Sequence, residues 1–385
     1  MLKKILAYIL LIPLVLFTAS CGSRHRAAPP EKASRSKVSV SKAQRFTLEL
    51  TDSCTILRII DPWQGASNIE QVYYLVKHSQ NHLRLSDTSR LIHVPVRRII
   101  CTSTTHIAMI SALGQAGSIA GISGTQYVYN RELTSAVMSG RVPDIGYDAG
   151  INNELIMHIN PDLYVMYGVG AEGEGYTGKL REAGIRIMFD ADYLEDDPLG
   201  KAEWIKVFGA LFCKESSADS IFKEISESYN GLRDYISEHI SSKPVVILGL
   251  PFRDKWYISP GNSYISRLIE DAGGNYLWHD RKSTVSIPCS LEEVYLQSRQ
   301  AEFWLNTGTV SKRNEIAGFD PRLADFPPYI SGNIYNNNRR TSPGGGNDYW
   351  ESGTLNPQII LKDIASILHP SLFPDYVQYY YIKVK

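Results

Sequence analysis

The residues best suited to chemistry in this chain lie in loops that follow short apolar runs, and they suit holding a molecule better than converting one. Thr102 to Thr105 follows one such run and leads into a helix, so Ser103 and Thr104 offer hydroxyls beside free backbone N–H groups, a place for an anionic group or for simple N-capping. Tyr127, Tyr147, Tyr167 and Tyr176 add flat amphipathic surface in three further loops. Phe252-Arg253-Asp254-Lys255-Trp256-Tyr257 mixes aromatics with cations, and Arg253 and Trp256 there suit bidentate and stacking contacts. The polar stretch Asn336 to Gly346 carries Arg339 and Arg340 and runs straight into Tyr349-Trp350. Catalytic patterns are missing. The sequence has no Gly-x-Ser-x-Gly elbow, no His-Glu-x-x-His and no phosphate-cradling P-loop. Its 9 histidines are scattered without acidic company at helix-facing spacing, which argues against a cage for a bare zinc or manganese ion and for an intact organic ligand.

The elements that must position these loops alternate. From Val94 onward short apolar runs at Arg98–Cys101, Ile119–Ile122, Ile145–Gly146, Leu163–Met166 and Ile185–Phe189 read as strands. His106 to Leu113 and Thr177 to Ala183 read as helices, and such alternation predicts a parallel α/β sheet. In open sheets of that kind, ligands sit at the loops beyond the strands' carboxyl ends. Pro198 then opens a helical region, whose second part from about Ser217 to Ile240 would form a strut on the order of 35 Å long. The second half echoes the first. Glu154-Leu155-Ile156 with Pro161-Asp162-Leu163 behind it is matched by Glu292-Glu293-Val294 with Ala301-Glu302-Phe303. Two such echoes in the same order predict two similar doubly wound α/β lobes joined by one long helix.

Ahead of the lobes, Phe46 to Val76 alternates as a small antiparallel β addition. The extreme N-terminus is a secretory signal: Lys3 and Lys4, an apolar run to Phe17, then Thr18-Ala19-Ser20 before Cys21. Residues 21–45, rich in Ser, Lys, Arg, Ala and Pro, read as a flexible tether. The organisation is therefore signal at 1–20, tether at 21–45, β addition at 46–97, first lobe at 98–197, helical linker at 198–241 and second lobe at 242–385. A charge balance of 40 basic against 40 acidic residues in 385 excludes a global basic field for nucleic acid. Export permits disulfides, but the spacings of Cys54, Cys101, Cys213 and Cys289 fit no metal motif and fix no pairing; free thiols are favoured over two bridges.

Taken in order, the segments resemble a known family. Arg98-Ile99-Ile100-Cys101 leading to Ala112-Leu113-Gly114, Gly121-Ile122-Ser123, Asn160-Pro161-Asp162-Leu163, Ser259-Pro260-Gly261-Asn262 and Pro357 to Ile364 are similar to segments of periplasmic binding proteins for iron–siderophore, haem and cobalamin. Cys21 in its setting resembles the bacterial lipobox, in which the cysteine is lipidated. The resemblance implies a monomeric receptor, lipid-anchored in the periplasm, without a cofactor or catalytic residues. It would capture an iron complex (siderophore or haem) between its lobes for an ABC permease. A corrinoid is the alternative ligand, and an anchored extracytoplasmic enzyme the alternative class. Ser103, Thr104, Tyr127, Tyr147, Phe252, Arg253, Trp256, Arg339, Arg340 and Trp350 are the expected ligand contacts. Tyr127 falls near a tyrosine of cobalamin binders, and Tyr147 near a position where they carry Trp. Glu154 and Glu292 match the pair of family glutamates that meet permease arginines.

Overall fold

In the computed structural model, which describes residues 36–79, 88–147, 150–168 and 172–385, the alternation resolves into three sheets and a β ribbon. The first sheet runs β1 (Ser36–Lys37), β2 (Phe46–Leu50), β3 (Thr55–Ile60), β4 (Glu70–Lys77) and β5 (Leu91–Val94). Its first four strands are antiparallel and β5 joins in parallel. Alternate residues Phe46, Leu48, Leu57, Ile59, Tyr73 and Leu75 face the core, as a half-buried sheet requires. The N-lobe follows as β6 (Ile99–Cys101), α1 (Thr104–Ala112), β7 (Ile119–Ile122), α2 (Arg131–Met138), α3 (Asn153–Ile159), β8 (Leu163–Tyr167), α4 (Glu172–Glu182) and β9 (Ile187–Asp190). All of its strands are parallel in the order β7-β6-β8-β9. Ile145–Gly146 is no strand: only an isolated bridge joins Ile122 to Asp144 there.

The linker is α5 (Pro198–Glu203), α6 (Ile205–Leu211) and α7 (Glu215–His239). The 25 residues of α7 make it about 37 Å long. The C-lobe contains β10 (Val245–Leu248), β11 (Lys255–Ile258), α8 (Tyr264–Asp271), β12 (Asn275–Tyr276), β13 (Ile287–Ser290), α9 (Leu291–Gln297), β14 (Phe303–Leu305), α10 (Arg313–Ala317), α11 (Pro327–Ser331), β15 (Ile334–Asn336), α12 (Asp348–Leu355), α13 (Pro357–Leu368) and β16 (Ile382–Lys383). Its sheet order is β12-β10-β14-β15-β16, parallel except for the last pair, while β11 and β13 form a separate antiparallel ribbon. Each lobe thus starts at an inner strand, adds the next strand on one side and then turns to the other. The sequence echo reports this shared topology.

One continuous core joins the N-terminal sheet, the linker and both lobes. Every residue of α6 is buried, and Phe46 of β2 meets Trp204 edge-on at 5.0 Å. The four described cysteines are free thiols. The tether reading fails for residues 36–45. Glu203 accepts the N–H groups of Ser41 (2.9 Å), Lys42 (2.7 Å) and Ala43 (2.9 Å), and Glu195 accepts those of Gln44 (3.0 Å) and Arg45 (2.9 Å). Lys206 adds bonds to Ser39 O (2.7 Å) and Glu203 (2.9 Å). Gly200 lets the strap lie close, since a Cβ there would stand 3.2 Å from Lys42 O. Two buried carboxylates 150 or more residues downstream therefore order a segment whose local composition looks disordered. The signal, Cys21 and the rest of the tether lie outside the described residues.

Candidate ligand-binding cleft

A cleft of ≈ 250 Å³ opens where the carboxyl ends of β6, β7 and β8 face the segment that enters α12. In the N-lobe order, the strand following β6 lies on one side of it and β8 on the other, so the β6/β8 gap is the topological switch point. Thr102, Ser103 and Thr104 extend from β6, Ser123 from β7, and Tyr167 ends β8; Gly345, Asn347 and Trp350 close the far wall. Tyr127 and Tyr147 complete the lining, with ring centroids 5.4 Å apart and planes tilted by 57°.

Local bonds fix these side chains. Ser103 caps α1 by accepting Thr105 N–H (3.2 Å), and its hydroxyl touches that of Thr105 (2.9 Å). Thr104 donates to Trp350 O (3.4 Å), a contact across the cleft. Asp144, which sequence reasoning passed over, is the hub of the tyrosine loops. It accepts N–H from Gly124 (3.2 Å), Thr125 (2.8 Å) and Gly146 (2.8 Å), and the Thr125 hydroxyl (2.6 Å). Burial alone would raise its pKa, but these donors outweigh it and hold the carboxyl below its usual value. Asp-Ile-Gly at 144–146 is turn chemistry that could have found it, but the segment reads as a strand from its apolar residue.

Hydroxyls, phenols, one amide and one indole make up the lining; among the described residues, histidine, carboxylate, arginine and lysine do not contribute to it. Such a surface can hydrogen-bond and stack on an organic ligand. Among the described residues, no three or more His, Cys, Asp or Glu side chains are grouped to hold a metal ion. Beneath the floor, His106 and Asp190 lie 3.5 Å apart and fully buried. Burial lowers the His106 pKa to about 3, so its ring is neutral near pH 7, and burial with the neighbouring Asp192 charge raises that of Asp190 well above the usual value.

Of the ten ligand contacts expected from sequence, the cleft brings together Ser103, Thr104, Tyr127, Tyr147 and Trp350. The other five fall elsewhere. Trp256 is fully buried, stacked near Trp304 (5.8 Å) and Phe326 (6.3 Å), with its indole N–H on Leu248 O (3.0 Å). Phe252 and Arg253 sit in the tight β10–β11 turn, closed by paired backbone bonds between Phe252 and Lys255, where Arg253 stacks on the exposed Phe252 ring. Arg339 points to solvent, its N–H on Tyr380 O (3.0 Å). Arg340 is held by Asp348 (2.6 Å) between the rings of Tyr129 and Tyr379, facing a different cavity. Thr102, Ser123, Tyr167, Gly345 and Asn347 take the vacated places.

Glu154 and Glu292 occupy equivalent positions. Asn152 caps α3 and Ser290 caps α9, so each glutamate is the second helical residue of its helix. Each of these helices runs back into the third strand of its lobe's main sheet in chain order, β8 or β14, which puts its N-terminus at the strands' carboxyl edge. Both side chains are exposed, and Glu292 pairs with Arg322 at 3.1 Å.

Comparison with known proteins agrees with this architecture. A family model described as "Periplasmic binding protein" matches residues 99–336. An uncharacterized lipoprotein of Methanocaldococcus jannaschii is 27% identical over 309 residues, spanning 78% of this chain and 72% of the relative. A periplasmic haem-binding protein from Pseudomonas aeruginosa superposes with a TM-score of 0.54 at 17% identity, covering 72% of this chain and 94% of that one. A protein of the ABC-type Fe3+-hydroxamate transport system of Saccharomonospora viridis gives a TM-score of 0.53 at 18% identity, covering 71% and 94%. With the two α/β lobes, the linker and a cleft at the switch point in place, the chain belongs to the periplasmic binding protein family, whose members are substrate-binding proteins and not enzymes.

Proposed function

We propose that this protein is a lipid-anchored receptor that captures an iron complex, of the siderophore or haem type, in the cleft between its lobes and delivers it to an ABC permease. The observation that carries this reading is the uncharged lining of hydroxyls and aromatic rings. A lining of this kind suits iron held inside its own chelator, whose oxygens the hydroxyls and phenols would bond and whose flat faces the rings would cover. A phenol oxygen such as that of Tyr127, Tyr147 or Tyr167 is also an established type of axial ligand for haem iron. The similar structures described as binding haem or serving Fe3+-hydroxamate transport support the same class. Cys21 and the lipoprotein name of the relative support the anchor. Glu154 and Glu292, one on the rim of each lobe, are the proposed docking points for permease arginines.

Native mass spectrometry of the purified protein after exposure to ferric hydroxamates, haemin and cobalamin tests the ligand class. One-to-one retention of a ferric hydroxamate or of haemin is expected. Retention of cobalamin alone would replace the iron complex by a corrinoid, and turnover of any of them would overturn the receptor reading.

A further inference from the structure

We propose that Glu351 is a positioning residue that clasps the two lobes together and, by gripping Tyr129 and Asn130 across the interface, sets where Tyr127 stands in the cleft. The carboxylate lies on α12, and only 3% of the residue is exposed. It accepts Tyr129 N–H on one oxygen (2.7 Å) and Asn130 N–H on the other (2.9 Å). Those two amides belong to the N-lobe loop between β7 and α2, two and three residues beyond Tyr127. A carboxylate bonded through both oxygens fixes direction as well as distance.

The same loop is held along its whole length by the segment that enters α12. Gly346 lies so near that a Cβ there would stand 2.6 Å from Val128 O and 2.7 Å from Tyr127 O. Gly344 faces Gln126 O at 3.2 Å on the same measure. The Arg340 guanidinium packs on the Tyr129 ring at 5.1 Å and on Tyr379 at 4.1 Å while paired with Asp348. Residues 340–351 therefore track residues 126–130 across the interface. Because Tyr147 rests on Tyr127, a shift of this loop moves both aromatic walls of the cleft.

A carboxylate is a costly way to hold two amides inside an interface. Burial raises the Glu351 pKa to about 7; the Tyr129 and Asn130 amides pull it down and neighbouring Asp348 pushes it up. The other groups around it are Arg340, which neutralises Asp348, Arg131 at the start of α2, and the phenols of Tyr129 and Tyr379. A glutamate released to solvent titrates at about 4.3. The closed clasp thus holds an extra proton between these values, so acid favours closure, and closure weakens as pH rises through about 7.

Hydrogen exchange of the mature chain, followed at the Tyr129 and Asn130 amides and corrected for intrinsic rates, tests the clasp without any ligand. Protection should be roughly tenfold greater at pH 5.5 than at pH 8 in the wild type. Glu351→Ala should speed exchange at these amides at least roughly tenfold, whereas Glu351→Gln, which keeps one acceptor oxygen as the protonated acid does, should retain most of the protection and lose its pH dependence. Nitration by tetranitromethane, located by mass spectrometry, should accelerate severalfold at Tyr127 in the Ala variant, with the exposed Tyr257 as unaffected control. Unchanged exchange and nitration in Glu351→Ala would overturn the proposal. So would a uniform increase that includes β3 and Tyr257, or full wild-type pH dependence in Glu351→Gln.

Discussion

Two tryptophans, both attractive as ligand contacts in the sequence, separate cleanly in the structure, and truncating each gives opposite outcomes. Trp256 is fully buried, stacks near Trp304 and Phe326, and donates its indole N–H to Leu248 O. Trp256→Ala removes a large buried ring and orphans a buried carbonyl, which costs about 3–5 kcal/mol. Against a typical total of about 5–15 kcal/mol, that is a large share of the stability. Trp350 is 57% exposed and lines the cleft, its ring edge-on to Tyr349 at 4.7 Å. Trp350→Ala should change stability by only about 0.5 kcal/mol. It should weaken ligand binding by about 1–3 kcal/mol, roughly five- to 150-fold in Kd. Urea unfolding followed by circular dichroism reads the first quantity, and calorimetry with whichever of ferric hydroxamate or haemin is retained reads the second. If Trp256→Ala keeps its unfolding midpoint and loses ligand, or Trp350→Ala binds as tightly as the wild type, the cleft has been assigned to the wrong surface.

The N-terminal strap gives a pH prediction. Burial alone would raise the Glu203 pKa, but the Ala43, Lys206, Ser41 and Lys42 donors outweigh it and leave the carboxyl below its usual value. Its stabilisation is therefore present above the ordinary glutamate pKa and is lost as pH falls through the lower folded value. Glu203→Gln should cost about 2–4 kcal/mol at pH 7 and progressively less toward pH 3, read by unfolding midpoints across that range. Reversing both Glu154 and Glu292 to Lys should leave ligand affinity intact and reduce permease binding and transport; full transport by a well-expressed double variant would reject the docking assignment. Cys21→Ala should release the protein from membranes or leave the precursor uncleaved, and unchanged detergent partitioning would count against the anchor.

What the sequence revealed depended on how local the determining interactions are. Ser103, Thr104 and Tyr127 were legible because each follows a strand in an alternating α/β pattern, where position along the chain dictates the edge of the sheet, whereas Tyr147 follows no strand and is brought beside Tyr127 by the Asp144 loop. The strut was legible from its three- and four-residue apolar steps, and begins two residues earlier than read. Trp256 was misplaced although its neighbours carried the correction. In β11, Lys255 and Tyr257 face out while Trp256 and Ile258 face in, an alternation the mixed composition of the segment obscured. Arg339 and Arg340 immediately precede a loop closed by the bridge between Thr341 and Asn347, so whether either arginine reaches the cleft depends on a turn geometry their spacing does not encode. The strap at Ser41 to Arg45 has acceptors in Glu195 and Glu203, too distant in sequence for any local pattern to report.

The strap, the buried linker and the clasp bear together on how such a receptor would work. Rotating the lobes apart about a hinge would break into a single core that runs from Phe46 through Trp204 and Phe208 to Trp304 and Ile364. It would also strip two amides from Glu351 and pull Gly346 off the Tyr127–Val128 backbone. Each of these steps exposes apolar surface or leaves buried polar groups unpaired, so a wide rotation of the lobes is costly. The proposed capture therefore proceeds without a large opening. On the proposed function, release would be driven from outside, with Glu154 and Glu292, one at the start of an equivalent helix in each lobe, as the proposed points of contact. A permease that drew those two helices apart would act on the β6/β8 and β10/β14 switch points together, widening the cleft where the ligand's N-lobe contacts originate.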